Sequence, residues 1–140
     1  MEPENNHSDF VIKPLIMIAN GSKISAKLIA KNLNQAGYDT IIASDGFNCL
    51  QQLQQLHNQP TRIDCVITSI IMAGMNGYKL ITAIKKDELL SKIPILVFSS
   101  IADKTEVRLK VIELGVKDIM LITAEPEPLL AKVKDLVSYS

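Results

Sequence analysis

Five short apolar runs alternate along this 140-residue chain with five longer stretches in which polar and apolar residues are mixed. A continuous apolar run such as 15–19 is typical of a strand that is covered on both faces. In a mixed stretch such as 22–36, the apolar residues recur with the spacing of a helix face. Strands that alternate with helices join through right-handed crossovers into a parallel sheet with helices on both sides. The alternation therefore predicts an α/β fold in three layers, with a sheet between two layers of helices.

The predicted elements account for most of the chain and leave a short polar segment before them. The predicted strands are 15–19, 38–43, 64–69, 94–99 and 116–122. Three of the predicted helices are 22–36, 77–86 and 105–114. A further helix is predicted between a cap at Asp45 and the loop at 58–60, and the last begins near Pro126. Five strands at this length favour the flavodoxin-like order 2-1-3-4-5. We expect a single domain at 14–140 after a flexible N-terminal lead-in at 1–13.

The balance of charge and the shortness of the apolar runs exclude several classes of partner. The chain has 15 Lys and Arg against 15 Asp and Glu, whereas nucleic-acid binding requires a surplus of positive charge. No apolar run approaches the ~20 residues that cross a bilayer. The first residues also lack the basic start and apolar core of a signal peptide. We therefore expect a cytoplasmic protein that contacts neither nucleic acid nor membrane.

The cysteines and the other reactive side chains give no pattern that is typical of a metal site or an enzyme. Cys49 and Cys65 lack CxxC spacing and the three or four neighbouring ligands that a metal site requires. We expect both to be buried free thiols. In a parallel sheet of this order, function lies where the strands end at their carboxyl edge. No carboxylate pair, Cys/His pair or Ser/His/Asp set converges there, so we do not expect an enzyme.

Two long segments carry a resemblance to a known family. DCVITSIIMAGMNG at 64–77 and SKIPILVFSS at 91–100, with shorter matches at 37–38, 43–46 and 114–115, resemble the receiver domain of bacterial two-component response regulators, the CheY-like type. The resemblance implies transfer of a phosphoryl group from a histidine kinase to an Asp after the third strand. It also implies an acidic pair that binds Mg²⁺, a Thr or Ser after the fourth strand, and a Lys after the fifth.

Most of the family's site residues are replaced in this chain. The resemblance puts Ser69 at the acceptor Asp, Asn20 and Gly21 at the acidic pair, and Ile122 at the Lys. The hydroxyl is kept, at Ser99. Without the three carboxylates, nothing balances the charge of Mg²⁺, so we expect Mg²⁺ binding to be lost or weak and no cofactor to be bound. The resemblance therefore implies a degenerate receiver, or pseudo-receiver, in which aspartate phosphorylation is absent.

A protein-interaction role in bacterial signalling is the leading interpretation. In the family, the face made by the fourth helix, fifth strand and fifth helix carries dimerisation and partner binding. The resemblance makes Leu109, Ile112 and Ile119 candidates for such a contact surface. We expect a protein partner, or a second copy of the chain, to bind this face.

Other interpretations of the same residues remain open. Phosphorylation of Ser69 or Ser99 by a serine kinase, or an anion bound at the helix start Asn20–Ser22, would give a receiver a different input. A flavodoxin-like binder of a small phosphate-bearing molecule would use the same helix start, although the loops after strands three and four offer no aromatic residue to stack a flavin. The same polar residues also suit simple local roles, as a turn, a helix cap and the ends of strands.

Overall fold

Strands and helices alternate as predicted in the computed structural model, which describes residues 12–56 and 62–137. The strands are β1 (Leu15–Ala19), β2 (Asp39–Ala43), β3 (Cys65–Thr68), β4 (Ile95–Ser99) and β5 (Asp118–Leu121). The helices are α1 (Lys23–Gln35), α2 (Gly46–Leu56), α3 (Gly77–Lys86), α4 (Thr105–Glu113) and α5 (Glu127–Val137), with a short 3₁₀ turn at Leu90–Lys92 before β4. Most of the expected lead-in, residues 1–11, and the expected loop at 58–60 lie outside the described residues.

All five strands form one parallel sheet in the order β2-β1-β3-β4-β5, which confirms the predicted topology. The central strand β3 pairs on both sides, so that Ile67 lies opposite Ile18 of β1 and Leu96 of β4. The order reverses between β1 and β3, and the carboxyl ends of the strands therefore meet at one edge beside this reversal.

The core lies in two layers, one on each side of the sheet, because successive strand residues point to opposite faces. Ile16 and Ile18 of β1 pack in a cluster with α1 and α5. Met17 and Ala19 pack in a second cluster with α2, α3 and α4. The three-layer architecture is therefore confirmed. No helix in the described ranges has the length and apolar character needed to span a membrane.

The fifth strand begins two residues later than predicted, at Asp118, because the preceding backbone completes the end of α4. Gly115 has a φ of +95°, in the left-handed region that glycine adopts without strain. The Val116 N–H then donates to the Val111 carbonyl at 3.2 Å, as part of the helix cap instead of the sheet. Gly37, with a φ of +100°, ends α1 in the same way and delays β2 by one residue. The other strand ends differ from the prediction by one residue at most.

Both cysteines are buried free thiols, as predicted. Cys49 of α2 and Cys65 of β3 lie in opposite core layers, and neither is exposed to solvent. Burial, with a smaller contribution from Asp45, raises the pKa of Cys49 to about 12. Burial also raises the pKa of Cys65 to about 12, with smaller contributions from Asp118 and Asp64. Both thiols are therefore protonated at neutral pH, and the reactive thiolate form is suppressed.

These raised pKa values make the stability of the fold depend on alkaline pH. The thiols ionise near 9.0 when unperturbed, whereas in the folded chain they stay protonated up to about 12. Their contribution to stability is fully present below about pH 9 and is lost towards pH 12, because the unfolded chain releases protons that the folded chain keeps. We expect the urea midpoint to be flat from about pH 7 to 8 and to fall above about pH 9. The fall should be smaller in C49A/C65A, and an equal fall in that variant would contradict the assignment to the thiols.

Candidate functional site

The sheet brings the candidate residues together at its carboxyl edge. Asn20 follows β1, Ser69 follows β3, Ser99 ends β4 and Ile122 follows β5. Backbone hydrogen bonds tie neighbouring members across the edge. The Ser69 N–H donates to the Ala19 carbonyl at 2.9 Å, and the Ile122 N–H donates to the Ser99 carbonyl at 3.3 Å. The predicted positions therefore lie together along one edge, beside the reversal of strand order.

Asn20 is only 8% exposed and its side chain shapes the start of α1. Its Oδ1 accepts a hydrogen bond from the Ser22 N–H at 2.9 Å. The Ser22 Oγ in turn accepts from the Ser25 N–H at 3.2 Å and caps the helix. The turn at Asn20 and the helix cap at Ser22, which are the local roles that the sequence suggests, are both formed. Two N–H donors at the start of α1 are thus already bonded within the chain, which leaves fewer for an anion.

Gly21 is exposed and lies against the loop that follows β3. A β-carbon at this position would lie 3.7 Å from the Met72 Cα and 3.8 Å from the Ile71 carbonyl oxygen. Both distances are ordinary van der Waals contacts. The position therefore has room for a side chain, although the chain places none there.

Ser69 is half-buried at the base of the loop 69–76. Its carbonyl accepts a hydrogen bond from the Thr68 hydroxyl at 2.8 Å. The same carbonyl oxygen lies so close to the start of α3 that a β-carbon on Gly77 would overlap it. The Gly77 N–H donates to the Ile70 carbonyl at 2.9 Å. Glycine at position 77 therefore lets α3 begin directly against the candidate acceptor position.

A second glycine holds the other end of this loop. The Gly46 N–H donates to the Met75 carbonyl at 3.0 Å, and a β-carbon on Gly46 would overlap the same carbonyl oxygen. Between the two contacts, Gly74 has a φ of +69° and lies beside the Phe47 ring. The sequence motif contains these glycines, but their close contacts with the loop depend on how α2 and α3 lie beside it. The fixed position of the loop was not anticipated from the sequence.

The remaining two candidates are a buried hydroxyl and an apolar side chain. Ser99 is 1% exposed, and its Oγ accepts a hydrogen bond from the Ile101 N–H at 3.4 Å. Ile122 is half-buried and packs against the core layer of α1 and α5. It also lines a cleft of about 50 Å³ together with Leu28 and Pro126. Neither position carries a charge.

One carboxylate at this edge has a local structural partner. Asp45 follows β2, and its Oδ1 accepts from the Asn48 N–H at 2.8 Å, which confirms the predicted cap of α2. Within residues 12–56 and 62–137, no three His, Cys, Asp or Glu side chains are grouped so that they could hold a metal ion. The site thus presents an amide, two hydroxyls and apolar groups. Such a set can form hydrogen bonds, but it supplies little negative charge.

The candidate contact residues on α4 and β5 divide into two kinds. Val107 and Val111 are buried against the sheet, so the other stripe of α4 points outward. On that stripe Leu109 is 62% exposed and Ile112 is 56% exposed. Ile119 is half-buried and packs against the core layer of α2, α3 and α4. Leu109 and Ile112 are therefore available to a partner, whereas much of Ile119 is covered.

Two exposed apolar side chains near the site were missed in the sequence. Phe47, in the first turn of α2, is 62% exposed, and Ile71, in the loop after β3, is 65% exposed. Helix periodicity does not single out a residue in a first turn, and the loop has no periodicity. These side chains add an apolar character to the edge that otherwise carries small polar groups.

Comparisons with known proteins agree with this architecture. The sequence profile of the response regulator receiver domain matches residues 16–134. The chemotaxis protein CheY4 of Vibrio cholerae has a TM-score of 0.80 at 21% identity, covering 89% of this chain and 99% of that chain. The signal receiver domain of a histidine kinase from Syntrophus aciditrophicus has a TM-score of 0.78 at 26% identity, covering 90% and 91%.

Curated relatives are longer than this chain. The probable transcriptional regulator ycf29 of Pyropia yezoensis is 28% identical over 123 residues, covering 88% of this chain and 53% of the relative. The DNA-binding response regulator MtrA of Mycolicibacterium paratuberculosis is 26% identical over 119 residues, covering 85% of this chain and 49% of the relative. The chain thus spans about half the length of the curated relatives that it matches.

The close contact at Gly77 gives a direct test of the site geometry. We expect G77A to lower the free energy of unfolding by about 1–3 kcal/mol, because its β-carbon overlaps the Ser69 carbonyl and the loop must shift. G21A is the matched control, since its β-carbon makes only ordinary contacts and should change stability by less than about 0.5 kcal/mol. Urea denaturation measures both. Equal stability of the two variants would contradict the close approach of α3 to Ser69.

Proposed function

The chain belongs to the response regulator receiver domain family, and on that premise we propose that it is a cytoplasmic pseudo-receiver, which signals through protein contacts without phosphorylation of an aspartate. The observation that carries the proposal is the position of Ser69. This serine follows β3, where the family has its acceptor carboxylate. A hydroxyl cannot form an acyl phosphate. A serine nucleophile would also need an adjacent base, whereas hydrogen bonds join the Ser69 backbone to the Ala19 carbonyl and to the Thr68 hydroxyl.

The residues at this edge do not fit the Mg²⁺ ion that the family uses. Mg²⁺ requires oxygen ligands in octahedral geometry and is usually held by one or two carboxylates. In the acidic-pair positions, this chain has an amide whose Oδ1 already accepts a hydrogen bond from the Ser22 N–H, and a glycine with no side chain. The proposed mechanism therefore contains no metal-dependent step.

The position of the family's lysine supports the same proposal. Ile122 packs with the apolar layer of α1 and α5 and supplies no positive charge to a phosphoryl group. Replacing a lysine by an apolar side chain removes the electrostatic stabilisation that phosphoryl oxygens need. Four of the five family positions thus lack the group on which phosphorylation depends, and the hydroxyl of Ser99 is the one that remains.

Protein contact is the function that these substitutions leave in place. The outward stripe of α4 offers two large apolar side chains, Leu109 and Ile112, with more than half of each exposed. Exposed apolar side chains that lie together favour association, because burying them releases water. We propose that the face of α4, β5 and α5 is the contact surface, with a protein partner or a second copy of the chain as its occupant.

Phosphorylation of a serine is a less favoured input. Ser99 is 1% exposed, so a kinase would have to open the end of β4 to reach its hydroxyl. Ser69 is half-buried beside a loop that close contacts hold in place at both ends. Anion binding at the start of α1 would compete with the hydrogen bonds that the Asn20 and Ser22 side chains already accept there. A surface contact requires none of these rearrangements.

A small phosphodonor tests the loss of aspartate phosphorylation. We expect incubation with acetyl phosphate and Mg²⁺ to leave the intact mass unchanged, because the acceptor and metal carboxylates are missing. The variant N20D/G21D/S69D/I122K restores the charged groups, and Gly21 has the space for a side chain. We expect that variant to gain one phosphate that hydroxylamine removes. A hydroxylamine-labile phosphate on the unmodified chain would overturn the proposal.

Paired charge substitutions test the contact surface. We expect the unmodified chain to self-associate reversibly in sedimentation velocity at high concentration, and L109E/I112E to be monomeric. I24E/L28E is the matched control, because Ile24 is 83% and Leu28 55% exposed on α1, in the opposite helix layer. Both variants should keep their stability within about 0.5 kcal/mol, since no core side chain is changed. Self-association that survives L109E/I112E, or a chain that is monomeric throughout, would contradict a homodimer on this face.

A further inference from the structure

A groove of about 550 Å³ runs between the outer faces of α3 and α4, from Asn76 at the start of α3 to Lys86 at its end. Three lysines line it, Lys79 and Lys86 of α3 and Lys110 of α4. The apolar part of its lining comes from Tyr78, Ala83 and Leu114, which are half-buried. No carboxylate lines the groove. A chain whose net charge is zero thus carries a local concentration of positive charge at this place.

The lysines of the groove are free to bind an outside group. In the described ranges, Lys79 and Lys86 are exposed and have no carboxylate within ion-pair distance. Lys110 approaches Glu113 at 3.9 Å, and both side chains are at least half exposed. An exposed pair of this kind contributes little. A carboxylate from a partner can therefore pair with these ammonium groups without first breaking a strong internal contact.

The spacing of the lysines indicates the shape of the ligand. Lys79 and Lys86 are seven residues apart in one helix, which places them on the same face and about 10 Å apart along its axis. Carboxylates two turns apart on a partner helix match this spacing. The apolar lining between the charges suits the apolar stripe of such a helix.

We propose that the groove between α3 and α4 binds an acidic amphipathic helix of a protein partner. Its carboxylates pair with Lys79 and Lys86, and its apolar side chains pack on Ala83 and Leu114. The proposal is independent of the function proposed above, since it uses neither the side chains of Asn20, Ser69, Ser99 and Ile122 nor the outward stripe of α4. Lys110 and Leu114 are four residues apart and share one side of α4, whereas Leu109 and Ile112 fall on another.

Synthetic helices provide the probe for this groove. We would titrate the full chain, with NMR detection, against a panel of end-capped helical peptides that carry a leucine and alanine stripe and two glutamates seven positions apart. Control peptides have glutamine in place of both glutamates. We expect saturable shifts confined to α3 and α4 with the acidic peptides, and an affinity that decreases with added salt. Failure of every acidic peptide in the panel to shift these residues at millimolar concentration would overturn the proposal.

Matched lysine variants separate specific docking from general attraction. K79Q/K86Q should weaken binding of the acidic peptides roughly ten-fold, because two charge pairs are removed. K27Q/K31Q makes the same charge change on exposed lysines of α1, in the opposite helix layer, and should leave the affinity unchanged. L109Q/I112Q, which adds no charge to α4, should also bind normally, which distinguishes this proposal from the contact surface on α4. Equal weakening by both lysine variants, or tighter binding of inorganic triphosphate than of the peptides at the same residues, would overturn it.

Discussion

The pairing of β3 on both of its sides is the constraint on which the rest of the structure depends. Its residues are buried on both faces, between the β1 and β4 ladders and under helices of both layers. A strand in this environment needs an apolar side chain at nearly every position, which 65–67 supply. The Ser69 N–H continues the pairing with β1 by one more hydrogen bond. The end of β3 is therefore a fixed point, and the loop, α3 and the candidate site are all positioned from it.

Much of this arrangement could be predicted from the sequence because it depends on local patterns and on topology rules. Alternating apolar runs and amphipathic stretches gave the strand order and the three layers, and single side chains such as Asp45 gave helix caps. The late start of β5 could not be predicted in this way, because it depends on the hydrogen bond from the Val116 N–H back to α4. The contacts of Gly46 and Gly77 with the loop, like the groove between α3 and α4, depend on how separate helices lie together. The periodicity of a single segment does not indicate how two helices pack against each other.

The candidate site is held together at its carboxyl edge by neutral side chains. A cluster of carboxylates at the end of parallel strands is repulsive unless a cation balances it. Here Asn20 bonds within its own turn, Ser99 bonds to the next backbone amide, and Ile122 joins the apolar layer. These three side chains have partners inside the chain, and none of them carries a charge. The edge is thus consistent as a neutral structure, and a single charge placed there would lack a counterpart.

Charged and apolar surfaces that could select a partner lie on the outer sides of the helices. Overall neutrality does not mean an even distribution, because α1 contains three lysines and no acidic residue and the α3–α4 groove adds three more. The outward stripe of α4 is apolar instead. Charged surfaces select partners by complementarity and speed their encounter, whereas apolar patches supply affinity once water is displaced. Under the two proposals above, the domain holds a partner on each of these surfaces, and its signal is the joining of those partners instead of a chemical change in the domain itself.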